Sequence, residues 1–249
     1  MRALPAALAA ALLLSLTACG SGSDDSADAK ESASAASSSA GGGSAKASSV
    51  ASDWKSIVKP GTTTCDYRTD PQPAAKKVKK PNSTAQYTGK VQATINTTVG
   101  PLKLTLDADK APCTVNSFLS LAQQDFYDST TCHRLSDQDG FQMLQCGDPT
   151  GTGSGGPGYT VPDEFKPTDT FPAGTLAMAN TGQPNSGGSQ FFMVFGDTQL
   201  PPQYTTFGTF DSASIQTLVA VGKAGHDDSG GDGTGKPLKK VEFQNITLG

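Results

Sequence analysis

Histidine is nearly missing from this chain: His133 and His226 are the two among 249 residues. No hydrolytic triad can be assembled around them. His226-Asp227-Asp228 sets one imidazole beside two adjacent carboxylates in a loop, without the converging ligands a metal needs. No CxxC pair occurs, which excludes a thiol redox enzyme and a zinc ribbon. The N-terminal apolar run, Ala3 to Leu16, is too short to span a bilayer, which takes about 20 residues. A cationic excess is absent as well. The formal net charge is -4, which argues against a nucleic-acid partner. Two glycine-rich stretches imitate phosphate loops but lack an essential part. Gly151 to Gly156 fits GxGxxG, yet Pro157-Gly158 follows where a helix must open. Gly230 to Lys236 ends before Pro237, where a magnesium-binding Ser or Thr is required.

What is present begins with a processing signal. Arg2 precedes the apolar run, and Leu16-Thr17-Ala18-Cys19 follows it, so residues 1–18 read as a signal peptide. The small residues leading into Cys19 resemble a bacterial lipobox, which makes Cys19 the lipid-bearing first residue of the mature chain. The alternative is an ordinary secretory signal with an incidental cysteine. Residues 19–52 are Ser, Ala, Gly and Asp with almost no large apolar side chain. They cannot bury enough surface to offset their ordering entropy and read as a disordered tether. Residues 53–85 form an extension in which Trp54, Ile57 and Val58 could pack. Its basic run, Lys76, Lys77, Lys79 and Lys80, reads as solvated charge or as a contact for anionic lipid heads. Residues 86–249 are enough for one well-buried core.

Of the five cysteines, setting Cys19 aside leaves Cys65, Cys113, Cys132 and Cys146. An even count outside the cytoplasm permits up to two disulfides in three pairings. Cys132 and Cys146 flank an expected hairpin, which allows a cross-strand bridge. Cys65 with Cys113 would then tie the extension to the domain. Four buried thiols are the other reading.

Lys90 to Asp107 alternates with period two. Val91, Ala93 and Ile95 point one way, Val99-Gly100-Pro101 turns, and Leu102, Leu104 and Leu106 return as a half-buried hairpin. Pro112 opens a helix striped by Val115, Phe118, Leu119 and Ala122, with Thr114 as the expected N-cap. Short strands follow near 131–136, 141–146, 175–180, 190–195 and 205–210. A second helix covers about 212–223 with Ile215, Leu218 and Val219 inward, and a last strand covers 238–248. His133, one residue before Arg134, should point away from the side that Arg134 faces. Many short strands, two helices and glycine-rich turns make the class mainly β, an antiparallel closed barrel.

Two blocks carry the chemistry. One reads Cys132-His133-Arg134-Leu135, then Gln145-Cys146-Gly147-Asp148. The other reads Met178-Ala179-Asn180, then Ser189-Gln190-Phe191-Phe192. Together, in this order, they resemble the signatures of the cyclophilin family of peptidyl-prolyl isomerases. The resemblance implies an eight-stranded barrel capped by two helices. It also implies a catalyst of X–Pro rotation that needs no nucleophile, metal or cofactor, acting on proline-containing unfolded or folding polypeptides. It assigns Arg134 as the hydrogen-bond donor to the twisted amide. Gln145 orients Arg134 or the substrate carbonyl, and Asn180 pairs its backbone with the substrate. Ala179, Thr181 and Gln190 line the groove, Phe192 floors the proline pocket, and Met143 and Leu200 wall it.

The chain also departs from the family pattern. Between Arg134 and Gln145 it is a few residues longer, through Ser136-Asp137-Gln138-Asp139. Gln142 then stands where an aromatic pocket wall is usual, and Phe141 is one position off. Phe141 is expected on the opposite side unless a bulge resets the register. Gln199 replaces a tryptophan important for cyclosporin, and Tyr204, also at the binding surface, replaces a histidine. Weak cyclosporin binding is therefore expected. The sequence supports a monomeric isomerase held outside the cytoplasm by lipid on Cys19. The alternative is a chaperone or scaffold module that holds proline segments with little turnover.

Overall fold

The computed structural model describes residues 60–249. The signal segment, Cys19, the tether, and Trp54, Ile57 and Val58 lie outside the described residues. Ten strands and two helices follow in the order β1 (Arg68–Thr69), β2 (Lys90–Thr97), β3 (Gly100–Asp107), α1 (Pro112–Ala122), β4 (Arg134–Gln138), β5 (Phe141–Cys146), β6 (Tyr159–Thr160), β7 (Thr175–Met178), β8 (Phe191–Val194), β9 (Thr206–Phe210), α2 (Ser212–Gly222) and β10 (Phe243–Leu248).

The hairpin read from alternation is β2 and β3, paired from Lys90↔Asp107 to Thr97↔Gly100. It belongs to an eight-stranded antiparallel sheet in the order β10-β2-β3-β9-β7-β8-β5-β4. The curled sheet does not close into the expected barrel. Among the described residues, β10 and β4 each lack a strand partner on their outer edge. The expected final strand begins only at Phe243, because residues 225–241 are an irregular, glycine-rich strap. The strap covers the edge of β4 instead. Leu135 and Gly235 exchange backbone hydrogen bonds of 2.7 and 3.1 Å, and the Cys132 amide donates to Val241. Edge amides are thereby satisfied without a regular ladder.

Leu135, Leu144, Met193 and Leu176 form a cross-strand row on the inner face, each fully buried. Phe118 from α1 meets Tyr127, Phe191 and Phe207 there, with ring centroids 5.3 to 5.5 Å apart. Burial of each such side chain contributes about 1.5–3 kcal/mol. The N-cap of α1 is Ala111 rather than Thr114. The Glu164 carboxylate, 50 residues away in sequence, takes the free amides of Cys113 and Thr114 at 2.9 and 2.8 Å. A remote anion at the positive helix end thus does the work of a local cap. At α2 the cap is local: Asp211 accepts from the Ser214 amide.

Both disulfides form, Cys65–Cys113 and Cys132–Cys146. The first pins the extension across α1, where Tyr67 Oη donates to the Cys113 carbonyl at 2.8 Å. The extension continues through the short β1–β6 pair. Its Asp70 and Ala75 amides donate to Gly158 and Gly156. The basic run is not simply solvated. Lys76 Nζ donates to the Asp128 carbonyl at 2.6 Å, and Lys80 Nζ to the Tyr67 carbonyl at 3.0 Å.

Candidate active site

Strand pairing alone assembles the outer-face row. Arg134 pairs with Gln145, Gln145 with Phe192, and Phe192 with Ala177. Cross-strand partners share a face of the sheet, so two motif blocks far apart in sequence meet side by side. One step along, Ser136, Met143 and Val194 form the next row. A bulge between Leu176 and Ala177 shifts the pairing with β9 so that Ala177 meets Thr206.

This face carries a second apolar cluster, separate from the core: Met143, Phe171, Ala177, Phe192 and Val194, with Phe141, Ala179, Leu200 and Tyr204 packed at its margin. Tyr204 stands edge-on to the Phe192 ring, with centroids 5.3 Å apart. Phe171 adds a third ring 6.2 Å from Phe192. Six of the residues read from the sequence as pocket residues therefore come together. Phe171, Ala177 and Val194 were missed. Phe171 sits outside both motifs, and its apolar side chain before Pro172 gave no sign of packing here.

Phe141 corrects the sequence reading. It was expected on the opposite side unless a bulge intervened, yet it lies on the pocket face with no bulge. The β4–β5 register runs unbroken from Arg134↔Gln145 to Gln138↔Phe141. Residues 141, 143 and 145 share parity and hence a face. Gln142 turns the other way, against Gly196.

The Arg134 guanidinium lies over the Phe141 ring, 5.7 Å from its centroid. Its side chain is 37% exposed. Its Nε donates to Thr234 Oγ1 at 3.0 Å and its Nη2 to Asp232 Oδ2 at 3.2 Å. Hydrogen bonding to Thr234 holds the Asp232 carboxyl below the usual carboxylate range, against a small desolvation and aided by Arg134. Sequence reading missed both residues, since their loop looked like a failed phosphate loop.

Gln145 Nε2 donates to Gln190 Oε1 at 2.9 Å. Gln190 Nε2 in turn donates to the Gly153 and Gly155 carbonyls at 2.8 and 3.0 Å. The glycine-rich loop is thereby fastened to the row that contains Arg134. The loop folds around Asp148, which is fully buried and accepts from the amides of Thr150, Thr152 and Gly153. Gly147 is required at the entrance to this turn. Its φ is +90°, and a Cβ there would lie 2.3 Å from the Ser189 carbonyl oxygen.

Asn180 sits half-buried at the rim, its Nδ2 donating to the Gln203 carbonyl at 2.8 Å. Thr181 is exposed beside it. His133 precedes β4, so strand alternation does not fix its direction. It packs under Gly153 and lines the same cavity as Arg134, of about 650 Å³. Burial pushes its imidazole below the ordinary value, which keeps it neutral.

A curled antiparallel sheet with two helices, and an arginine at the margin of a second apolar cluster on its outer face, are features of a cyclophilin-type domain. Residues 91–248 match the family model described as cyclophilin type peptidyl-prolyl cis-trans isomerase. The chain belongs to this family. It is 45% identical over 199 residues to the probable peptidyl-prolyl cis-trans isomerase B of Mycobacterium tuberculosis, covering 74% of this chain and 63% of that protein. To the Mycobacterium leprae counterpart it is 42% identical, covering 66% of that protein. The chain thus spans just under two thirds of the length of these two relatives. A crystal structure of a Cryptosporidium parvum cyclophilin type isomerase superposes with a TM-score of 0.54 at 30% identity, over 64% of this chain and 98% of that one. A second structure of that protein was determined in the presence of the dipeptide Ala-Pro.

Proposed function

We propose that this chain is a peptidyl-prolyl cis-trans isomerase that turns X–Pro bonds without a covalent intermediate. Resonance sets the uncatalysed barrier at about 18–20 kcal/mol, and exchange takes tens to hundreds of seconds. Lowering the barrier to about 13 kcal/mol would give on the order of 10³ turnovers per second. What lowers it is tighter binding of the twisted amide than of either planar form. In the twisted state the imide nitrogen becomes pyramidal, and its lone pair accepts a hydrogen bond. A permanently charged, planar guanidinium is a suitable donor.

The observation that carries this reading is the placement of the Arg134 guanidinium over Phe141, at the margin of the apolar cluster that contains Phe192. In this reading Phe192 is the floor of the proline slot. Met143, Leu200, Tyr204 and Phe141 wall it. Gln145 orients Arg134 or the substrate carbonyl, Asn180 offers backbone groups to the substrate, and Ala179, Thr181 and Gln190 line the approach. The test is a protease-coupled prolyl-peptide assay on the purified chain, with Arg134→Ala beside it. The wild type should accelerate exchange, and Arg134→Ala should lose roughly 100-fold in kcat/KM, the order expected for one preorganised donor. A chain that binds prolyl peptide with no exchange above background would be a proline-segment-binding module and would refute the proposal.

The clients we propose are folding polypeptides outside the cytoplasm, reached by a monomer anchored through lipid on Cys19. The two disulfides support an oxidising compartment. Mass spectrometry of the mature N-terminus tests the anchor: a lipid-bearing Cys19 is expected, and a mature chain lacking Cys19 refutes it.

A further inference from the structure

The strap between α2 and β10 grips the guanidinium on which the proposed function rests. Three residues of one edge strand touch it within a few residues of each other. Arg134 Nε and Nη2 bond Thr234 and Asp232. Leu135 exchanges backbone bonds with Gly235. Gln138 Nε2 donates to the Asp232 and Gly233 carbonyls at 3.0 and 2.6 Å. Gly233 has φ +74°, and a Cβ there would lie 2.2 Å from Gln138 Nε2, so the grip needs glycine at that point. Gly230 donates to the Thr234 carbonyl at 2.9 Å and closes the turn.

The hydrogen bonds have a direction. Thr234 Oγ1 donates its proton to Asp232 Oδ1 at 2.6 Å. Its lone pairs are thereby left to receive Arg134 Nε–H. The second carboxylate oxygen takes Nη2. Both contacts fall on the side edge of the guanidinium, where Nε–H and one Nη2–H point the same way. Of the five N–H groups an arginine carries, those of the terminal edge have no hydrogen-bond partner among the described residues. A half-exposed arginine otherwise samples many rotamers, and fixing it beforehand removes an ordering cost from the transition state.

We infer that Asp232 and Thr234 are positioning residues for the isomerase reaction: they hold Arg134 by its side edge and leave its terminal edge free for the proline amide. This rests on the isomerase reading and adds to it two residues that act through Arg134 without touching substrate. The clamp belongs to the rate step and not to peptide docking. Asp232→Asn and Thr234→Val should each lower kcat/KM about tenfold. Because both act through one carboxylate–hydroxyl chain, the double variant should lose little more than either alone. The dissociation constant for a prolyl peptide, measured by titration, should stay within about twofold of wild type. Thr234→Ser keeps the hydroxyl and should recover most of the rate, which a merely structural role for the methyl group would not allow.

The experiment uses the full chain, with thermal unfolding to confirm that each variant folds. An active wild type, disabled by Arg134→Ala but indifferent to Asp232→Asn and Thr234→Val, overturns the clamp and leaves the isomerase reading standing. Loss confined to peptide affinity also overturns it. A wild type without exchange overturns both.

Discussion

Removing the Cys65–Cys113 bridge should destabilise the chain more than removing Cys132–Cys146, although the second bridge lies between the two candidate catalytic strands. The argument runs through the unfolded state. A cross-link removes loop-closure entropy in proportion to the logarithm of the segment it closes. Cys65–Cys113 has a sequence separation of 48 and Cys132–Cys146 one of 14. The chain-entropy relation turns these into about 4 and about 3 kcal/mol at 25 °C. For a domain of this size each kcal/mol moves Tm by about 2–4 °C. The expected losses are then roughly 8–16 °C for Cys65→Ala/Cys113→Ala and roughly 6–12 °C for Cys132→Ala/Cys146→Ala. Calorimetry of both double variants in parallel measures the order. Amide exchange gives a sharper local test. Beyond the disulfide, the extension rests on Tyr67 and Ala85 buried in the core, on a two-residue strand pair and on scattered bonds; of these, the segment around Asp70 and Ala75 has only the strand pair and the bonds. Asp70 and Ala75, which donate to Gly158 and Gly156, should lose protection in the first variant and keep it in the second. A larger Tm loss for the Cys132–Cys146 variant, or unchanged exchange at Asp70 and Ala75, would refute this reasoning.

Phe192→Ala empties the centre of the outer cluster, where the ring is 4% exposed and flanked by Tyr204 and Phe171. It should cost about 3–5 kcal/mol in denaturant unfolding and abolish detectable peptide binding; binding that survives in the folded variant would remove Phe192 from the slot. Asp148 gives a pH dependence. Burial pushes its carboxyl up, but hydrogen bonds from Thr150, Gly155 and Gly153 outweigh this and hold it below its usual value. The unfolded chain therefore takes up the proton first as pH falls, so the stabilisation is present above about pH 4 and is lost below it, through the depressed folded value. Asp148→Asn should flatten that acid limb, read from Tm against pH, and lower stability at neutral pH by about 1–3 kcal/mol. An unchanged limb would assign it to other carboxylates. With Gln199 and Tyr204 at the replaced positions, calorimetric titration should find weak cyclosporin binding, and a tight isotherm would refute the inference.

Local periodicity made the β2–β3 hairpin and both helices legible, because their buried residues recur at spacings that sterics alone dictate. Word order made the outer-face row legible through the family resemblance. Pairing then brings Arg134, Gln145 and Phe192 together, which no single strand announces. The illegible parts are long-range. Glu164 caps α1 from 50 residues away, and nothing local in Ala111-Pro112-Cys113-Thr114 reveals it. Phe171 joins the outer cluster from a segment that neither motif reaches. The side of Phe141 was misjudged by aligning it to a family position, when parity with Met143 and Gln145 already placed all three on one face.

The open edge and the clamp are physically one feature. Had a regular strand covered β4, its backbone would have satisfied Leu135 while its side chains alternated between core and solvent. A ladder of that kind points consecutive carbonyls to opposite edges of the strand, so it cannot offer those of Asp232 and Gly233 together to Gln138. The irregular strap offers both. Gly235 repeats the ladder contact once, at Leu135. The turn just before it aims Asp232 and Thr234 at the side edge of Arg134. Substitutions that straighten this turn should therefore reach the arginine before they reach the core. Gly233→Ala is the direct case: at φ +74°, against Gln138, it should lower kcat/KM with a Tm loss of only about 2–8 °C, for the roughly 1–2 kcal/mol that a left-handed alanine costs. A large drop in Tm with full catalytic rate would show instead that the strap serves the fold and not the guanidinium.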